Sequence, residues 1–236
     1  MKKMIFALFG VLYFVGANAA DLYVNGSGNE NTYPTIQEAV NAASSGDNIY
    51  VATVGTFSED VTITNKSLFI VASVADEMFT LSGSFNLSPG SGNEITIVGM
   101  YNGNVTCLGG TGTVNLISSF ISSISGASYE LNVYDCEITN SFSIKNGSVK
   151  GNIIDRLVVN NSTDLDGDTL RIMGNYMTSL DWNSSSVYFE ICNNYINGQS
   201  TSGSNSQRPL NIDNILTTPG GTNLIANNTI DFSNTS

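Results

Sequence analysis

Ile172-Met173-Gly174-Asn175-Tyr176-Met177 is followed by Ile191-Cys192-Asn193-Asn194-Tyr195-Ile196, and the same six-residue pattern stands at 116–121, 133–138, 149–154 and 225–230. Its first and last positions are aliphatic or Met throughout. The third holds Ser118, Asp135, Gly151, Gly174, Asn193 and Asn227, mostly residues that tolerate the left-handed conformation of a sharp corner. The fourth holds Ser119, Cys136, Asn152, Asn175, Asn194 and Asn228, the composition of an asparagine ladder whose amides bond from coil to coil. Strand, short corner, strand is the unit these columns predict. Intervals of 17, 16, 23, 19 and 34 residues between the last positions fit a solenoid with one fixed corner and connections of variable length. The longest interval contains the polar run 197–206, which reads as an exposed loop.

Toward the N-terminus the period changes. In the segment 35–43, Ile36, Ala39, Val40 and Ala43 share one helical face. Thr35 reads as the N-cap of a capping box with Glu38, and Gly46 as the glycine past the helix end. From there Ile49 alternates with Val51 and, after Gly55, Val61 with Ile63, as strands do. Between Ile63 and Cys107 short apolar pieces separated by glycine-rich turns follow too closely for helices, without a clean repeat. A short helix over the open first coil of a strand stack is the architecture expected.

Thr35-Ile36-Gln37-Glu38-Ala39-Val40, Gly46-Asp47, Ile49-Tyr50-Val51, Gly55-Thr56-Phe57, Glu59 and Val61-Thr62-Ile63 resemble the N-terminal signature of right-handed parallel β-helix proteins. Pectate lyases and pectin methylesterases are the best-known enzymes with that opening. Val54 departs from it, standing where a proline is usual. The resemblance implies an all-β fold, a right-handed parallel β-helix (solenoid) with a short N-terminal capping α-helix. A fold signature does not carry an activity.

Residues 1–19 read as a secretory signal peptide: Lys2 and Lys3, an apolar run from Met4 to Val15, and the small-x-small site Ala17-Asn18-Ala19. The apolar run is short for a bilayer span, so no membrane span is expected after signal removal. The division that follows is signal peptide 1–19, N-terminal strand and capping helix 20–48, and β-helix 49–236. The mature chain is expected to be secreted, extracellular or at the cell surface. Thr229 to Ser236 contains neither an amphipathic helix nor an aromatic plug. The last coil is therefore expected to continue into a missing C-terminal region or, as the alternative, to be covered by a partner domain or subunit.

Removing Lys2 and Lys3 leaves six Lys or Arg against twenty Asp or Glu, a formal charge of −14. A body this acidic repels nucleic acid, and an acidic polysaccharide would need a bridging cation. The absence of histidine removes Ser-His-Asp and Cys-His catalysis and the histidine-centred site of β-helix polygalacturonases. The pectin methylesterase motifs are missing too: the single tryptophan, Trp182, stands in Leu180-Asp181-Trp182-Asn183 rather than in Leu-Gly-Arg-x-Trp. Cys107, Cys136 and Cys192 are too few and too far apart for a disulfide framework or a zinc pattern, and read as small packed residues, with one bridge across coils as the alternative.

Two constellations remain. Asp164, Asp166 and Asp168 alternate along one turn, so their carboxylates could converge on a Ca²⁺ ion, although Gly167 and Asn175 break the EF-hand pattern. A Ca²⁺-assisted polysaccharide lyase would also need a base, for which Lys150 and Arg171 are the candidates. Arg171 shares a column with Glu190, which predicts a lateral ion pair. The cofactor expectation is none, or Ca²⁺ at this turn. In the repeat's fifth, outward position, Tyr176 and Tyr195 should stack on adjacent coils about 5 Å apart and offer amphipathic rings to a sugar. The plainer alternative is that such stacks only stabilise the solenoid. The function expected is a non-catalytic surface or extracellular module that binds a polysaccharide or surface glycan, or mediates adhesion. The alternatives are the lyase acting on acidic polysaccharide and a structural stalk of a larger surface protein.

Overall fold

The aliphatic columns of the sequence are lateral rows lining a solenoid interior. In a computed structural model, which describes residues 19–25, 32–126, 130–160, 169–182, 188–197, 210–211 and 224–231, Leu116, Val133, Val149, Ile172, Ile191 and Ile225 lie opposite one another in turn on parallel strands. The row continues back through Ile97, Ile70 and Ile49 to Leu22. Ile121, Ile138, Ile154, Met177, Ile196 and Ile230 form its counterpart across the corner. The two rows belong to two parallel sheets, of eleven and twelve strands among the described residues. The first sheet runs from the 32–33 strand, beside the 21–24 strand, to the 224–226 strand, and the second ends on the 229–231 strand. The chain is an all-β, right-handed parallel β-helix with one short helix among the described residues. Alternation drives it: in the strand Glu94–Val98, Ile95 and Ile97 are fully buried while their neighbours face out. Each such side chain contributes roughly 1.5–3 kcal/mol of transfer free energy.

The helix spans Ile36–Ala42 and turns Ile36, Ala39 and Val40 inward. Thr35 Oγ1 accepts the Glu38 N–H at 3.1 Å, as the capping pattern predicts. The Glu59 carboxylate accepts two more orphan donors, from Ile36 and Gln37 at 2.8 and 2.9 Å. Gly46 does not serve as the glycine past the helix end. The residue after the helix, Ala43, is extended, and Gly46, at φ 101°, belongs to the turn before the strand Asp47–Val51. The reason is Lys66, whose Nζ donates to the carbonyls of Val40 and Ala43 at 2.8 and 2.7 Å and leaves no need for a left-handed cap.

At the corner the third column is left-handed as expected: φ is 46° at Ser118, 53° at Asp135, 70° at Gly151, 65° at Gly174, 58° at Asn193 and 55° at Asn227. The following residue points inward and builds the ladder. Asn175 Nδ2 donates to Asn194 Oδ1 and to the Val149 carbonyl, both at 2.9 Å, while its Oδ1 accepts from the backbone and side-chain N–H of Asn152 at 3.0 and 2.9 Å. Asn194 and Asn228 repeat the arrangement one coil on. Cys136 occupies the same column, and its thiol reaches the Tyr134 carbonyl at 3.2 Å. Burial pushes this thiol from 9.0 up to about 12, against the lowering effect of hydrogen bonds with the Ser119 and Tyr134 backbone. All three cysteines are buried, and none is in a disulfide.

The coil before Leu116 keeps this corner but not its spacing. Gly99, at φ 73°, takes the corner position, yet the next strand slips: Tyr101 lies opposite Phe120 while Gly103 lies opposite Ile121. A Cβ at Gly103 would stand 2.6 Å from Met100 Sδ and 3.1 Å from Leu81 Cδ2, so a larger residue there would displace the Met100 side chain. This bulge is why no repeat can be aligned before Leu116. All but the last residue of the expected signal peptide 1–19, and residues 198–206 of the polar run 197–206, lie outside the described residues, among which no helix is long and apolar enough to cross a membrane.

Replacing Asn175 by Ala strands the Asn152 donors and the Val149 carbonyl inside the corner, and should cost about 2–4 kcal/mol in urea unfolding; a loss below about 0.5 kcal/mol would remove the ladder from the stability account. The raised Cys136 thiol has a pH signature. Because the folded protein holds this proton to a higher pH than the unfolded chain, stability should fall as pH rises from 9 toward about 12. The fall should be smaller in Cys136→Ala, measured as melting temperature at successive pH values, and equal slopes for the two proteins would contradict this account.

Candidate functional site

A left-handed corner residue followed by an inward ladder residue leaves the next side chain pointing out, at the start of each strand of the second sheet. Tyr101, Phe120, Glu137, Ile153, Tyr176, Tyr195 and Thr229 lie opposite one another in succession and form one exterior row. Tyr101, Ile153 and Tyr176 are 45%, 54% and 46% exposed, high for side chains of this size. Tyr176 and Tyr195 stack at 5.1 Å between centroids with planes 14° apart, and Tyr101 and Phe120 stack at 5.0 Å and 28°.

The stacking decides what the row can offer. Ring faces turned on one another along the solenoid leave edges and hydroxyls outermost, so a ligand meets a ridge of ring edges rather than open faces. The hydroxyls are also held: Tyr176 Oη accepts from Asn197 Nδ2 at 2.9 Å, and Tyr195 Oη donates to Asp231 Oδ2 at 2.8 Å. The bond to Asp231 raises the Tyr195 pKa, because ionisation would set two negative oxygens against each other.

Beside the row, at the corner, lies an open cleft of about 280 Å³. Met78, Phe120 and Ile153 are its apolar walls, and Asp135 and Glu137 its carboxylates. Gly151 matters for its shape, because a Cβ there would stand 2.5 Å from Asp135 Oδ1.

The remaining sequence candidates do not converge on this surface. Lys150 ends a strand of the first sheet, on the other side of the corner, with its Nζ 5.9 Å from the Tyr134 ring centroid. Arg171 Nε donates to Glu190 Oε2 at 3.0 Å, the ion pair that their shared column predicts; both side chains are substantially exposed, so it contributes little to stability. The neighbouring strands place Ser148 opposite Arg171 and Met173 opposite Lys150, so the two bases do not face each other in register. Arg156, on the second sheet, is bound to Asp181 at 2.6 Å. Asp164, Asp166 and Asp168 lie outside the described residues, among which no group of three His, Cys, Asp or Glu could hold a metal ion. Sequence reasoning missed Tyr101 and Met78. Gly99-Met100-Tyr101 repeats Gly174-Asn175-Tyr176 with Met in place of the ladder Asn, and that substitution hid the match.

Comparison with known protein families, with curated proteins and with solved structures finds no match for this chain.

Proposed function

We propose that this protein is an exported, non-catalytic β-helix module that binds carbohydrate in the extracellular space or at the cell surface and thereby mediates adhesion. The exterior row of Tyr101, Phe120, Ile153, Tyr176 and Tyr195 carries this reading. These side chains are exposed or half-buried and in lateral register on either side of Glu137, so a polymer lying along the solenoid meets a side chain about every 4.8 Å. Aromatic rims with polar tips suit sugars, which present C–H and hydroxyl groups side by side. Residues 1–19 support export, and the likeness of residues 35–63 to the opening of pectate lyases and pectin methylesterases supports a place among carbohydrate-contacting β-helices. A Ca²⁺-assisted lyase has less support: Arg171 and Arg156 are engaged by carboxylates, and Lys150 leans over Tyr134.

Incubating residues 20–236 with neutral and acidic polysaccharides, with and without Ca²⁺, separates the readings. Retention on a polymer without ultraviolet absorbance of unsaturated product is the outcome expected. Tyr176→Ala should then weaken retention roughly three- to tenfold, as loss of one aromatic contact does. Calcium-dependent absorbance would replace the binding module with a lyase, and absence of retention would leave a structural stalk.

A further inference from the structure

We propose that the Ala19–Ala20 bond is a processing site, and that Asp47 receives the α-ammonium group that hydrolysis leaves on Ala20. The inference rests on the export reading, to which it adds the side chain that holds the new N-terminus. It starts from a misfit in an interior row. Asp47 lies on the inward face of the strand Asp47–Val51, with Ile49 and Val51. The row it heads continues as Leu68, Ile95, Val114 and Leu131, all of them buried and apolar. At 7% exposure, Asp47 is the only Asp, Glu, Lys or Arg among the buried described residues. A carboxylate so placed is ordinarily matched by a cation. The ion pairs among the described residues, Arg156 with Asp181 and Arg171 with Glu190, do not involve it. Lys66, the nearest base in the sequence, donates to the carbonyls of Val40 and Ala43 instead.

The contacts of Asp47 show where the cation belongs. Its Oδ2 accepts the Ser44 N–H at 2.7 Å, a bond within the turn after the helix that does not depend on processing. Its Oδ1 accepts the Ala20 N–H at 2.8 Å. The Ala20 carbonyl accepts the Asn48 N–H at 2.9 Å, so Ala20 is held on both sides with its nitrogen at the carboxylate. Ala19 and Ala20 are exposed, which leaves room for a chain terminus. The small-x-small site Ala17-Asn18-Ala19 places the cut at the same bond by a separate route. A signal peptidase adds water there: the hydroxyl goes to the Ala19 carbonyl carbon, the hydrogen to the Ala20 nitrogen, and the acid's proton passes to the amine. The nitrogen already facing Asp47 changes from a neutral donor with one hydrogen to a cation with three, and charge-assisted bonds are roughly twice as strong as neutral ones. Maturation thereby tightens the first strand against the strand Asp47–Val51 and the turn that follows the helix.

The test expresses the full chain in a secreting host and then compares defined termini. Mass spectrometry of the exported protein should find Ala20 first. Residues 20–236 with a free terminus should melt about 2–4 °C above the same chain acetylated at Nα by an N-terminal acetyltransferase, the shift expected of one charge-assisted bond in a domain of this size. Acetylation is the matched control, because it keeps the N–H donor and removes the charge. The gap should vanish in Asp47→Asn, and it should persist in Asp21→Asn, since Asp21 Oδ1 already accepts from Asn48 Nδ2 at 2.9 Å. Retention of the leader on protein that stays in the cell would overturn the export reading and the processing site together. Export with a different first residue, equal melting of the free and acetylated chains, or a gap that survives in Asp47→Asn would overturn the inference and leave export standing. If Asp47→Asn does not fold, Asp21→Asn decides: a persisting gap supports Asp47, and its loss assigns the ammonium to Asp21 and overturns the inference.

Discussion

The hydrogen bonds of the asparagine ladder fix what every other side chain can do. At the corners from Asn152 to Asn228, two consecutive residues carry opposite demands: the first must be left-handed and the second must turn an amide inward to the carbonyl of an earlier coil. Meeting both leaves no freedom of register, and in a β-structure a slip of one residue exchanges interior and exterior along the whole strand. The aliphatic rows inside and the tyrosine ridge outside are thus consequences of the same few bonds, such as the 2.9 Å contacts from Asn175 to Asn194 and to Val149. Hydrophobic burial supplies most of the stability, but it is non-directional and would tolerate other registers. The amides choose one.

This explains how unevenly the fold could be read from the sequence. From Leu116 onward the corner column and the ladder column are both written in residues with few other uses, so alignment alone gives the strand pairs. Before Leu116 the same corner exists, but Met100 stands in the ladder column and the strand after it bulges at Asn102, with φ 65°. The period is broken although the structure is not. The helix was legible through its apolar face and Thr35. The long-range contacts at its ends were not, because Glu59 and Lys66 reach them from 22 to 26 residues away, and spacing along a chain carries no signature of such contacts.

The site was legible in part, for a physical reason. Exterior positions on a solenoid are constrained only by lateral neighbours, so their side chains record function or nothing. Tyr176 and Tyr195 could be placed because the corner fixes their direction, and Arg171 could be paired with Glu190 by its column. The cleft could not be foreseen, since Met78 enters it from a coil that precedes the alignable repeat. Nor could the stacking of the rings, which turns their faces on each other and leaves a ridge.

A solenoid separates stability from recognition more completely than a globular domain does. Each coil is held by its own interior row, its ladder amide and its two neighbours, so exterior residues can change with little cost to the fold. Glu137 illustrates the freedom: an unpaired carboxylate between Phe120 and Ile153 is tolerated because the strand beneath it is already fixed by Ile138 and the corner. Cys136 illustrates its limit. One position before Glu137, in the ladder itself, a buried thiol stands with its pKa raised, and the coil keeps its register because the side-chain Oδ1 of Asn152 still accepts the Cys136 N–H at 2.8 Å. The coil that carries the cleft is thus fixed by its interior rows and by strand pairing on both sides, and the chemistry outside it is free to be selected for what it binds.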